Sequence, residues 1–168
     1  LAERLQYAPF ATGDVMGRGV RAARLAANLK ACLRAQLAAG EAEPTALVGR
    51  VNELFGEVLG SGARGRFASL FFGVFDFACG RLDYVNAGHD YPFVLRRDGA
   101  VEDLHLGGTV LGLLEDAPYE RGEVSIGRED LFVFYSDGVT DREDGQGELY
   151  GVERLKEAHK ATRGVNAR

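Results

Sequence analysis

Cysteine is scarce in this chain: only Cys32 and Cys79 are present, each among apolar neighbours. Two thiols cannot build the disulfide framework of a small secreted domain, so both read as small core residues of a protein in a reducing compartment. No apolar run approaches the ~18 residues of a membrane span. No basic-then-apolar leader is present either. Together these absences predict a cytoplasmic protein with no membrane span. Positive charge is not in excess: Lys and Arg number 20 against 25 Asp and Glu, for a net charge of −5. That balance, with a pI near 5.3, excludes the basic profile of a nucleic-acid binder. Several catalytic signatures are also missing. There is no G-x-x-x-x-G-K-S/T phosphate loop, no H-E-x-x-H, no C-x-x-C and no G-x-S-x-G. The glycines at 13, 17 and 19 do not have the dinucleotide-binding spacing.

What is there fits one domain. At 168 residues with 46% hydrophobic content, such a chain buries roughly 70% of its unfolded surface. Leu1 to Thr12 enters mid-element without a start Met, and Ala158 to Arg168 drifts off after a helix. The expectation is a single domain over residues 1–168, incomplete at both ends.

Residues 4–12 read as a short strand or loop, with Pro9 arguing against a central strand. Val20 to Ala39 lacks Pro and Gly, and Leu25, Leu29, Leu33 and Leu37 recur at i+4, which predicts a helix ending near Gly40. Between Val15 and Gly40 there is no acid, only the cations Arg18, Arg21, Arg24, Lys30 and Arg34. This edge is either simply solvated or a docking face for a phosphorylated partner. Pro44 suits the first turn of a second helix, which its apolar pattern carries to about Gly60. A glycine-rich connector spans 60–65.

The period then changes. Phe67 to Phe77 is apolar on both faces, as in a strand inside a layered structure. Gly73 within it signals a bulge or close packing. Further strands are predicted at 81–87, 92–97, 101–106, 119–126 and 131–135, with Asp98-Gly99 as a hairpin turn. Gly107-Gly108 opens a loop, and a third helix is predicted at 151–160. Helices followed by a run of antiparallel strands predict the α+β class.

Two acids stand out. Asp14 lies in the glycine-rich stretch Gly13-Asp14-Val15-Met16-Gly17-Arg18, and Asp137 follows an apolar strand and precedes Gly138. Each either caps a turn through its own backbone or offers a carboxylate to a hard cation. Two such places together favour metal, and Mg²⁺ and Mn²⁺ prefer oxygen ligands. His105 and His159 read as surface residues. His89, in Asn86-Ala87-Gly88-His89-Asp90, either stabilises its loop or supports the metal edge. Asp141, Glu143, Asp144 and Glu148 form a solvated acidic loop or a peripheral ligand.

These motifs resemble a known family. GDVMGRGVRAARLA is similar to the G-D-V-x-G-K/R-G-x-x-A-A signature of bacterial metal-dependent protein phosphatases, the SpoIIE-type branch of the PPM family. The likeness continues through RFASLFFGVFD, GRLDYVNAGHDYPFVLRRDG, GGTVLGLLEDAPYE, DLFVFYSDGVTDRED and GELYGVERL. It covers roughly residues 13–157 in the family's order.

The resemblance implies a four-layer α-β-β-α sandwich, two antiparallel sheets flanked by helices. It implies a hydrolase that removes phosphate from phosphoserine or phosphothreonine of a protein, typically a STAS-domain anti-anti-sigma factor in stress or sporulation control. It implies two Mn²⁺ or Mg²⁺ ions, with Asp14 bridging them, the Val15 carbonyl binding one, and Asp137 binding from another side. Upstream sensory or coiled-coil segments, through which such proteins form homodimers, are implied as well. Two departures bear on activity: the family's upstream G-G-D-x-x-D motif and its closing D-D-x-T strand have no counterpart here. Position 90 is Asp where the family usually has Asn, and position 12 is Thr where an apolar residue is usual. A non-catalytic PPM-like module that binds a partner without turnover is therefore the second reading.

Overall fold

The computed structural model of the chain describes residues 6–60 and 65–166. In order, its elements are β1 (Tyr7–Val15), α1 (Gly19–Ala38), α2 (Pro44–Leu59), β2 (Ala68–Asp76), β3 (Arg81–Ala87), β4 (Phe93–Leu95), β5 (Val101–Asp103), β6 (Gly107–Gly108), β7 (Gly122–Ser125), β8 (Leu131–Val133), α3 (Asp137–Thr140) and α4 (Gly151–Asn166). The connector expected at 60–65 lies mostly outside the described residues. The chain divides into two compact units, Leu1–His89 with His105–Ile126, and Asp90–Leu104 with Gly127–Arg168. Each holds one sheet, and the class is the expected mixed α+β with two largely antiparallel sheets and helices. Among the described residues no helix is long and apolar enough to cross a membrane.

In the first unit the strand order is β1-β2-β3, with β6 and β7 both on β3. β1 and β2 pair antiparallel without interruption, from Tyr7 opposite Asp76 to Val15 opposite Ala68. Pro9 is accommodated because β1 is the edge strand, where a missing N–H breaks no ladder bond. The continuous apolar run of β2 is buried almost throughout. Its Leu70, Phe72 and Val74 share a core with Leu47, Val48, Val51 and Phe55 of α2. Its Phe71 and Phe75 face the other way: Phe71 stacks on Tyr84 at 5.2 Å and Phe75 on Phe10 at 5.2 Å. Burying each such side chain stabilises the fold by about 1.5–3 kcal/mol. Gly73 is a close-packing glycine, not a bulge. The register passes through it unbroken, and a Cβ there would meet Phe10 at 2.8 Å and Leu82 at 2.9 Å.

The leucine stripe of α1 behaves as its spacing predicts. Leu29 is buried, and Leu25, Leu33 and Leu37 are partly buried against the same core. α2 starts with Pro44 at its first position and with the Glu43 carboxylate accepting from the Ala46 N–H at 2.7 Å. Gly107-Gly108 is not only a loop, as expected, but a two-residue strand parallel to β3. Its period is invisible in sequence because neither residue has a side chain. A Cβ on Gly107 would lie 2.0 Å from the Asn86 carbonyl oxygen, so only glycine permits this approach.

In the second unit β4 lies between β5 and β8, and Phe93, Val94 and Leu95 are fully buried. The β4–β5 connection is the hairpin that Asp98-Gly99 predicts. Gly99 has φ 88°, and the Asp98 side chain accepts from the Ala100 N–H at 3.0 Å. Leu155 of α4 packs with Phe93 and Val133. Lys156 bonds Asp103 at 3.0 Å and stands over the Phe93 ring. Of the strands after β3, the four that were predicted, β4, β5, β7 and β8, are each shorter than predicted.

Candidate functional site

Successive strand residues point to opposite faces. At the end of β1 this turns Val15 into the core, at 7% exposure, and leaves Asp14 in solvent. Gly13 brings the two backbones together, since a Cβ there would sit 2.4 Å from the Ser69 carbonyl oxygen. Gly17 and Gly19 then adopt φ 116° and 72°, which turns the chain into α1. The Met16 N–H donates to the Phe67 carbonyl at 3.0 Å and anchors the turn to β2.

The turn-capping alternative for Asp14 does not describe this geometry. The cap of α1 is Arg18, without a side-chain hydrogen bond, and its first turn carries no acid. Among the described residues the Asp14 carboxylate takes part in no hydrogen bond or ion pair. Its backbone N–H donates to the Ser69 hydroxyl at 3.3 Å. The oxygens of this exposed carboxylate and of the neighbouring Val15 carbonyl are hard donors of the kind that Mg²⁺ and Mn²⁺ take.

His89 sits just beyond β3, where its ring meets a residue of β1 and one of β2. Its imidazole is 4% exposed. Nδ1 lies 3.0 Å from Ser69 Oγ and Nε2 lies 3.4 Å from Thr12 Oγ1. The His89 N–H donates to Asn86 Oδ1 at 2.8 Å. Gly88, at φ 68°, makes the turn that sends His89 back, and a Cβ there would strike Val110 at 2.5 Å. Ser69 and Asn86 were not singled out from the sequence. The available signal was that Ser69 is the one hydroxyl in the apolar run Phe67 to Phe77.

A cleft of about 700 Å³ lies between β1 and α1. Leu29, Leu33, Leu70 and Phe72 line it, and so do Asp14, Arg18, Lys30 and Arg34. Among the described residues none of Arg18, Arg21, Arg24, Lys30 and Arg34 forms an ion pair. The basic edge of α1 thus has no acidic partner among the described residues.

In the second unit Asp137 does not directly follow a strand, as its sequence context suggested. β8 ends at Val133, and Asp137 opens the single helical turn α3. It is exposed, its carbonyl accepts from the Asp141 N–H at 2.7 Å, and its carboxylate has no partner among the described residues. The acidic loop beyond it is largely structural. Asp144 accepts from the N–H groups of Gln146 at 2.8 Å and Glu148 at 3.0 Å, and these bonds hold its carboxyl below the usual range. Glu148 pairs with Arg154 at 2.9 Å. Among the described residues no three His, Cys, Asp or Glu side chains are grouped to hold a metal ion.

Two smaller expectations change. His159 is half-buried, with Nδ1 2.8 Å from the Leu155 carbonyl and its ring edge-on to Phe93. Cys79 is exposed in a turn, where a hydrogen bond with Asp76 pushes its thiol pKa up. Cys32 packs partly buried against the core, as expected.

The chain is similar to known proteins in sequence and in fold. The chain is 26% identical over 153 residues to the phosphoserine phosphatase RsbU of Bacillus subtilis, covering 89% of this chain and 44% of RsbU. The chain spans less than half the length of the curated relatives it matches. The solved RsbU and RsbW domains of Rv1364c from Mycobacterium tuberculosis match with a TM-score of 0.77 and 25% identity, over 94% of this chain and 43% of that one. The catalytic domain of the serine threonine protein phosphatase PstP, solved with two manganese ions, shares the fold with a TM-score of 0.63 at 18% identity, over 91% of this chain and 76% of that one. The family model for stage II sporulation protein E matches residues 6–167. The chain belongs to the SpoIIE family.

Proposed function

We propose that the chain is a metal-dependent protein phosphatase acting on phosphoserine or phosphothreonine of a regulatory protein. The observation that carries this reading is the Asp14 carboxylate, which has no partner among the described residues and is held at the end of β1 by a glycine-shaped turn that serves no capping purpose. Asp14, the Val15 carbonyl and Asp137 are the proposed ligands of two Mn²⁺ or Mg²⁺ ions. Such ions supply a water activated at neutral pH and neutralise charge on the phosphoryl oxygens.

The chain's own residues do the positioning. Gly13 and the Met16 amide hold the ligand turn against β2. The substrate is a phosphate monoester: water adds to phosphorus in line, the seryl or threonyl oxygen leaves as the alcohol, and inorganic phosphate is released. No serine or cysteine nucleophile is needed. The cations of α1, without an ion pair among the described residues, draw the phosphorylated partner, for which a STAS-domain anti-anti-sigma factor is the proposed identity.

A second reading is a partner-binding module without turnover, favoured by the lack of a three-ligand group among the described residues. Hydrolysis of p-nitrophenyl phosphate and of a phosphorylated STAS protein in Mn²⁺, with and without EDTA, separates the two. EDTA-sensitive turnover supports the phosphatase, and metal-independent binding with no turnover supports the module.

A further inference from the structure

We infer that His89 is a positioning residue for Asp14, acting through Ser69 and Thr12. The inference rests on the reading of Asp14 as a metal ligand. The imidazole is the only buried histidine among the described residues, and both of its ring nitrogens are directed at hydroxyls that belong to the Asp14 neighbourhood. Ser69 stands opposite Asp14 in the β1–β2 register and accepts the Asp14 N–H through Oγ. Thr12 lies two residues before Asp14, on the same face of the strand. One ring therefore ties down the strand at position 12 directly and at position 14 through Ser69.

β1 needs such a tie. It is the edge strand, held by β2 on one side, and Gly13 between the two tied positions has no side chain to pack. The ring is itself fixed. Asn86 Oδ1 holds the His89 N–H, and the Gly88 turn is closed against Val110. Both neutral tautomers satisfy the arrangement, because a hydroxyl can donate to one ring nitrogen and accept from the other. The result resembles the outer shell of a metal site, in which residues that do not touch the ion fix the orientation of one that does.

The test uses His89→Ala, Ser69→Ala and Asp14→Asn in the whole chain, with two readouts. The first needs no metal: hydrogen exchange at the Asp14 amide, set against amides of β2 and β3. Both His89→Ala and Ser69→Ala are expected to speed exchange at Asp14 by about tenfold while Phe72 and Val85 stay protected. The second is Mn²⁺ affinity by calorimetry. His89→Ala and Ser69→Ala are each expected to weaken it by roughly 10- to 100-fold, and the double variant of these two by little more than either single. Additive losses, or wild-type affinity in a folded His89→Ala protein, overturn the inference. Should His89→Ala fail to fold, Ser69→Ala paired with Thr12→Val probes the same tie from its outer ends, and wild-type exchange and affinity there overturn it equally. If Asp14→Asn binds Mn²⁺ normally, the ligand reading falls. If Asp14→Asn loses the ion while His89→Ala keeps it, only the positioning role falls.

Discussion

Asp14 and Ser69 stand directly opposite each other across the β1–β2 ladder, and the Asp14 amide donates to the Ser69 hydroxyl at 3.3 Å. The side chain that carries the proposed chemistry is thus left free while its backbone is tied. An exposed carboxylate on a restrained backbone loses little conformational freedom when it takes a ligand.

Gly13 keeps that pairing close. A methyl group at this position meets the Ser69 carbonyl oxygen at 2.4 Å, and the obstacle is backbone. Gly13→Ala is expected to cost about 1–3 kcal/mol of stability, read as a lowered Tm, and to weaken Mn²⁺ binding as well. A protein of unchanged Tm and affinity would mean that β1 can shift without consequence.

Asn52 carries a separate structural load. This buried α2 side chain donates to the carbonyls of Leu114 and Glu115 at 2.8 and 2.9 Å and accepts from the Gly112 N–H at 2.8 Å. Asn52→Ala leaves these groups without their partner and is expected to cost roughly 1–3 kcal/mol in denaturant unfolding. Proteolysis should also become faster within 112–115.

Acid should weaken the second unit through Asp130. Burial pushes its carboxyl pKa up, but the Arg96 guanidinium at 2.6 Å and the Gly127 N–H outweigh this and hold it below the usual range. A depressed carboxylate pKa contributes stability that is present above the unfolded value, about 3.9, and lost as pH falls through the folded value. Asp130→Asn should therefore lower Tm at pH 7 and flatten its fall below pH 4. An Asn variant with the wild-type pH profile would remove Asp130 from the acid response.

The α1 cations are predicted to act on encounter with substrate. Arg21→Glu with Arg24→Glu should raise KM for a phosphorylated protein several-fold, leave kcat nearly unchanged, and have little effect on p-nitrophenyl phosphate. A loss confined to kcat would contradict docking at this edge.

Much of this was legible in the sequence where local chemistry decides the outcome. The i+4 leucines of α1, Pro44 at the start of α2, the two-faced apolar run of β2 and the Asp98-Gly99 turn each have a physical signature within a few residues. The ordered motifs from Gly13 to Asp137 were legible as a family. The tie through His89 was not, because residues 12, 69 and 89 meet only after two strands have paired. Nor was β6, since Gly107 and Gly108 carry no pattern and take their conformation from Asn86. Asp137 was found as an acid but placed at a strand end, because a single helical turn such as α3 is too short to show a period.

The most direct test of the central claim is Mn²⁺-dependent hydrolysis of a phosphoserine protein by the wild-type chain and by Asp14→Asn. The account predicts turnover that EDTA abolishes and that Asp14→Asn reduces by at least about 100-fold, the scale of removing one electrostatic contribution to the transition state. Wild-type turnover in Asp14→Asn would contradict it.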